Sequence, residues 1–453
     1  MTQRRAKVRS PEEYLAPVTG LGVPVPRYDG RSIVNIPSTI AAALGVEADG
    51  SPPLAPPLDP DLDPISSAKE GPILVVLVDG LGWYGFRRWS DIGETADQRV
   101  WSARARPITS VFPTTTTSAL TSLSSGVAPG CHGVVGAREY LPRYGVVADM
   151  LSMSPVGATL RDQLVGPQWA PRDVSGAPTI FRRGVEGVVL SRREFADQGF
   201  TRMISDGAEF RGYATATDLV HELIHLFQRP RPPAVIYLYW DELDTIQHLK
   251  GPSPELVGFE MDHVARSLRF AADHVPPSLA RSTTVLITGD HGQVATTRSA
   301  ALRVDVDPEL MSDLGRPVAG DRRAAFFTAR KGTIDHLRAT LEARVPSQSV
   351  ILPVSQAIAG GLLGPPPFHP ELEDRLGDLL VLVPSPAGIV YVPPGGRPSE
   401  RHHWGGHGGL EAEELVVPLI TGSLWDLGDT GGRSRPTPIG SSPRRGRRPV
   451  RER

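Results

Sequence analysis

Pro72-Ile73-Leu74-Val75-Val76-Leu77-Val78-Asp79-Gly80 is six apolar, mostly β-branched residues running without a break into an acid and a glycine. A run of that length with no polar alternation is the pattern of a strand buried on both faces, which belongs inside a parallel sheet covered by helices. Two further stretches repeat it. Ala234-Val-Ile-Tyr-Leu-Tyr239 leads into Trp240-Asp241, and Thr284-Val-Leu-Ile-Thr288 leads into Gly289-Asp290-His291. Helical periodicity separates the strands, over Thr117 to Leu123, Ala216 to Phe227 and Glu255 to His274. The alternation predicts an α/β fold, a three-layer sandwich with a mostly parallel central sheet.

The rest of the chain arranges itself around that core. Residues 1–70 read as an N-terminal extension and Pro-rich linker, and residues 71–300 and 401–428 as one catalytic domain. Residues 301–400 carry the strand Ala324 to Thr328, the helix Thr333 to Val345 and a strand near Leu379 to Val383, read as a smaller α+β insertion. Residues 429–453, rich in Gly, Pro, Ser and Arg, form a basic tail with no apolar period and are expected to be disordered.

Composition removes several classes of function. A formal net charge of -2 over 453 residues points to neither nucleic acid nor an anionic membrane as a specific partner. No stretch approaches the roughly 20 apolar residues of a membrane span, and the basic start leads into Ser10-Pro11 rather than an apolar run, so a cytoplasmic location is expected. The single cysteine, Cys131, forms no internal disulfide and reads as a small buried residue. Any metal must therefore be held by histidine and carboxylate.

Those residue types sit where ligands of open α/β sheets gather, just beyond the carboxyl ends of the strands. The first strand ends at Asp79, the second reaches Asp244 and His248, and the third reaches Asp290 and His291. Asp244 and His248 are four apart and share one face of a helical turn. A last group, His402-His403-Trp-Gly-Gly-His407-Gly-Gly, lies in a glycine-rich loop where backbone can approach a ligand closely. Carboxylates and imidazoles without thiolates suit zinc, and two such ions can clamp both the attacking and the leaving oxygen of a phosphoryl displacement. Upstream, Thr114-Thr115-Thr116-Thr117 opens a helix, giving more hydroxyls than one N-cap needs. Trp83, Tyr84, Tyr140 and Trp240 could stack a base, but aromatics near strand ends more often pack.

In order and spacing these motifs resemble the alkaline phosphatase superfamily, and within it the type I phosphodiesterase/nucleotide pyrophosphatase-like family. Asp79-Gly80, Pro113-Thr114-Thr115-Thr116, Gly126, Pro129, His132-Gly133, Asp244 with His248 and Gly251-Pro252, Asp290-His291-Gly292 and Gly406-His407-Gly408 match that family's pattern. The resemblance implies one metal held by Asp244, His248 and His407, and a second held by Asp79, Asp290, His291 and the nucleophile Thr116. It further implies two divalent ions, zinc foremost with manganese as the alternative. A small-molecule phosphoester would be cleaved at a phosphodiester or pyrophosphate bond through a phosphorylated threonine. Two alternatives stand beside this: a phosphonate hydrolase or mutase-like phosphoryl transferase of the same superfamily, and a catalytically silent protein that binds a phosphorylated ligand. One position departs from the pattern: where many members place an Asn after the His-Gly, this chain has Ala137. Specificity is expected from the loops between Arg138 and Arg211 and from the 300–400 segment.

Overall fold

A computed structural model of the chain describes residues 20–46, 52–66, 71–393 and 404–428. The basic tail and His402 and His403 lie outside the described residues.

The central sheet has seven strands. In chain order they are β1 (Ile73–Val78), β2 (Ala105–Thr109), β3 (Gly187–Arg192), β4 (Glu209–Tyr213), β5 (Val235–Trp240), β6 (Thr284–Thr288) and β7 (Val416–Ser423). Across the sheet they lie in the order β2-β7-β6-β1-β5-β3-β4. The pairs β6-β1-β5-β3-β4 are parallel. Only β7 runs against both neighbours. β1 sits at the middle with all six residues buried. Its register pairs Val78 with Trp240 and Leu77 with Thr288, so the carboxyl ends of the three central strands finish level. That alignment gathers Asp79, Asp241 and Asp290 at one edge.

Period-two alternation splits the apolar runs between two cores. Leu74, Val76 and Val78 point into a core shared with Ile236, Leu238, Trp240, Val285 and Ile287 and with the helices Trp83–Ser90, Ala216–Phe227 and Pro254–His274. Ile73, Val75 and Leu77 point the other way, into a core with Val235, Leu286 and the helix Thr116–Ser125. The three layers follow from these two buried faces. Part of the stretch expected as extension and linker also fills the second core: the helix Asn35–Ala43 contributes Ile36 and Ile40, and Leu58 and Leu62 follow. Trp83 and Trp240 are packing residues of the first core.

A second sheet of seven strands stands apart from the first. Strands Val350–Pro353, Leu379–Leu382, Ala324–Phe327 and Ala319–Gly320 come from the 301–400 segment. Gly320 then pairs with Arg138, so the same sheet continues through Arg138–Leu141, Val146–Asp149 and Ser154–Pro155. The segment thus shares its sheet with the stretch that follows the Thr116 helix. Among the described residues no helix is long and apolar enough to cross a membrane.

Candidate metal centre

The four threonines enter the site unequally. Thr115 occupies the N-cap position of the Thr116–Ser125 helix, yet its side chain makes no capping bond. Each hydroxyl instead has a tertiary partner. Thr114 Oγ1 donates to Gly409 O (2.8 Å) and accepts from Gly408 N (3.0 Å), tying the helix entry to the His407 loop. Thr115 Oγ1 donates to Asp321 Oδ1 (3.0 Å), and Thr117 Oγ1 donates to Gly136 O (2.8 Å). Thr116 alone faces the strand ends, with Oγ1 3.2 Å from His291 Nε2. As the first residue of its helix it meets the positive end of the dipole and the free N–H groups there, a setting that favours an anion.

Asp79, Thr116, Asp244, His248, Asp290, His291 and His407 converge in two overlapping groups. In one, His248 Nε2 lies 3.4 Å from Asp244 Oδ2 and 3.1 Å from His407 Nε2. In the other, His291 Nε2 lies 3.6 Å from Asp79 Oδ1 and 3.3 Å from Asp290 Oδ2. Asp244 stands between them: ligand atoms of Asp244, His248 and His407 lie within 4.8 Å of one another, and so do those of Asp79, Asp244 and His291. The rings of His291 and His407 stack with centroids 3.8 Å apart.

The hydrogen bonds around the imidazoles decide what this cluster can hold. His248 Nδ1 is 3.0 Å from Gly405 O, His407 Nδ1 is 3.0 Å from Thr114 O, and His291 Nδ1 is 3.1 Å from Gly292 O. A carbonyl only accepts, so each Nδ1 carries the proton and each Nε2 presents a lone pair to the cluster. Two Nε2 lone pairs 3.1 Å apart, as at His248 and His407, do not hydrogen-bond. Asp79 Oδ1 and Asp290 Oδ2 are buried without a hydrogen-bond partner beside His291 Nε2. Burial, followed by the charges of Asp290 and Asp244, pushes the Asp79 carboxyl well above the usual carboxylate range. A buried set composed of acceptors fits divalent cations, and the residues present fit two of them.

Supporting groups hold the set in place. Asp290 Oδ1 accepts from Gly80 N (3.0 Å) and His291 N (2.9 Å), which leaves Oδ2 facing the cluster. Tyr239 donates its hydroxyl to Asp79 Oδ2, and Gln293 donates its amide to Asp244 Oδ1. Gly80, at φ 76°, lets the strand turn sharply; a Cβ there would stand 3.0 Å from Asp244 Cα. The sequence alone did not single out Tyr239 or Gln293. Tyr239 lies at an alternate position of β5, five residues before Asp244, which is the available signal.

The sequence was compared with protein-family models, and that of type I phosphodiesterase/nucleotide pyrophosphatase matches residues 73–408. The chain belongs to that family. No curated protein matches it. Among solved structures, murine ectonucleotide pyrophosphatase/phosphodiesterase 5 superposes with a TM-score of 0.58 at 18% identity, covering 77% of this chain and 87% of that one. An inactive threonine-to-alanine variant of the murine protein in complex with AMP gives 0.55 at 18%, with 77% and 87% covered. Phosphonoacetate hydrolase from Sinorhizobium meliloti 1021 in complex with phosphonoacetate gives 0.53 at 19%, with 78% and 90% covered. At these identities the likeness is one of fold.

Two hollows meet at Thr116 in this family member, and both also reach Leu151 and Asp244. The larger cleft, of about 360 Å³, is bounded by Thr115, Ala137, Arg138, Asp321 and Arg322 together with Val318 and Ile389. An apolar chamber of about 280 Å³ lies on the other side, between the helix and β1 and β5. Ala137 sits in the larger cleft, and its backbone N–H donates to Asp321 Oδ2 (3.3 Å). A half-buried acid thus stands beside the position of the expected Asn; desolvation pushes its carboxyl up to about 6, opposed by its bonds from Ala137 and Thr115. Cys131 is buried away from both hollows, and burial pushes its thiol up to about 11.

Proposed function

We propose that this protein is a two-zinc phosphohydrolase that cleaves a small phosphodiester or pyrophosphate through a covalent phosphothreonine at Thr116. The observation that carries the reading is the hydroxyl of Thr116, first residue of a helix, 3.2 Å from a histidine nitrogen within an acceptor-only cluster. Asp244, His248 and His407 would hold one ion, and Asp79, Asp290, His291 and Thr116 the other. When bound, the two cations lower the pKa of the threonine hydroxyl and stabilise charge on the attacking and leaving oxygens.

The chain's own residues do the rest. The helix N-terminus positions the phosphoryl group against Thr116 and shares its negative charge. Thr116 Oγ1 bonds phosphorus as the P–O bond to the first alcohol breaks; the proton that Thr116 gives up to solvent is balanced by the one the departing alkoxide takes from solvent. Water then attacks the phosphothreonine from the side that alcohol has left, which returns the hydroxyl and frees the second product. Backbone carbonyls on Nδ1 of His248, His291 and His407 keep all three rings in one tautomer throughout.

Thr116→Ala protein should retain two equivalents of metal by elemental analysis and lose at least about a thousandfold in turnover of bis-p-nitrophenyl phosphate. Full activity in that variant would remove the covalent mechanism. A second reading, hydrolysis of a phosphonate or a manganese-dependent, mutase-like transfer, is supported by the carboxyl of Asp321 standing beside Ala137 where an amide was expected. A panel of phosphonates, monoesters and diesters, each assayed with zinc and with manganese, separates the two. A silent phospho-ligand binder is disfavoured, because all seven candidate ligand residues are present and converge.

A further inference from the structure

The 280 Å³ chamber beside Thr116 presents mainly apolar surface, from Leu120, Leu123, Phe181, Phe200 and Ile204, although Arg161, Gln198 and Asp241 also reach it. At the roughly 30 Å³ that a water occupies in the liquid, it has room for about nine methylene-sized groups. Asp79, Thr116 and Asp244 form part of its wall, so the chamber opens onto the atoms that would react. A group bonded to the phosphorus held at Thr116 therefore has this space directly within reach.

Two observations mark the chamber as a place for a ligand rather than a packing fault. Its walls come from elements on three sides: the Thr116–Ser125 helix, β5 through Tyr237, and the short helix Gly199–Ile204. The Tyr237 hydroxyl, on that wall, is buried without a hydrogen-bond partner. A polar atom on an occupant, such as the carbonyl oxygen of an acyl group, would give that hydroxyl a partner. The larger cleft that also reaches Thr116 brings Arg138, Asp321 and Arg322 to the site and has the charged groups to receive a polar arm.

We infer that the substrate is an asymmetric phosphoester whose one arm is apolar, an alkyl, acyl or aryl group of up to about nine heavy atoms, seated in this chamber. The inference rests on the proposed reaction at Thr116 but is read separately from it. Burial of such an arm takes apolar surface out of water roughly in proportion to its length, so affinity should climb steeply with chain length until the space is full.

The test uses the full-length protein loaded with zinc. Calorimetric titration of the Thr116→Ala variant with methyl phosphate and n-octyl phosphate should show the octyl ester binding at least thirtyfold tighter, a ratio of about 2 kcal/mol at 1.4 kcal/mol per factor of ten. Val189→Trp, at a half-buried wall position of β3, should reduce that ratio to within threefold. Ile204→Trp, on a different element, should do the same and guards against one variant failing to fold. Equal binding of the two esters, alongside turnover of methyl p-nitrophenyl phosphate by the unmodified protein, overturns the chamber and leaves the phosphohydrolase reading intact. An octyl preference abolished by both tryptophans upholds the chamber, even where no diester is turned over and the catalytic reading fails.

Discussion

His132 and His407 each precede a glycine at positive φ, yet their imidazoles are wired in opposite senses. His132 Nδ1 accepts from Val134 N (3.0 Å), so its proton sits on Nε2, where it meets Ser122 Oγ (2.9 Å). Both nitrogens are thereby satisfied within the protein. In His407 the proton is on Nδ1, held by Thr114 O, and the Nε2 lone pair faces His248 and Asp244. His248 and His291 follow the His407 pattern. The comparison teaches that burial and a glycine neighbour do not leave a ring nitrogen open for a cation; the direction in which Nδ1 is bonded decides that.

Removing one member of each class should break them apart. His407→Ala is expected to lower affinity for one of two metals by at least about a hundredfold, read by elemental analysis after dialysis, with turnover falling in parallel. His132→Gln should keep both metals and lose only stability, about 1–3 kcal/mol for the disturbed buried bonds, read by urea unfolding. Metal loss in the His132 variant would abolish the distinction. A smaller effect tests the groups behind the ligands: Tyr239→Phe removes the hydroxyl that orients Asp79 and should weaken metal binding about tenfold to a hundredfold while keeping its stoichiometry.

Much of the fold and of the convergence was legible because the decisive signals are local. A short, β-branched run such as Ile73 to Val78, bounded by Pro72 and Gly80, reads as a strand buried on both faces, and parallel register then brings Asp79, Asp290 and the Asp244 turn to one edge. The second sheet was harder to see. Its joining pair, Gly320 with Arg138, unites stretches far apart in the chain, and neither carries a pattern naming the other. The four threonines show the same boundary: the run offers more hydroxyls than a cap needs, but it does not name the tertiary partners they meet, Gly409, Asp321, His291 and Gly136. The chamber likewise depends on side chains from separate elements and has no linear signature. Where the loops between Arg138 and Arg211 were expected to set specificity, they supply Leu151, Phe181 and Phe200 to its wall.

The smallest effect concerns pH, and it isolates His132 from the metal cluster. Burial foremost, then the charges of His369 and Arg375, lowers the imidazole from 6.5 to about 3. Between those values the unfolded chain binds a proton at this side chain and the folded chain does not. The contribution of His132 to stability is therefore whole above about 6.5 and drains as pH falls toward 3. Its slope is at most about 1.4 kcal/mol per pH unit. Urea unfolding of the unmodified protein and of His132→Gln, both in chelator so that metal release does not contribute, should diverge between pH 6.5 and 4.5, with the unmodified protein losing stability faster. Parallel curves would mean that the folded protein admits the proton at His132. The ring would then be closer in kind to an exposed imidazole than to one satisfied at both nitrogens, and the contrast with His407 would rest on metal binding alone.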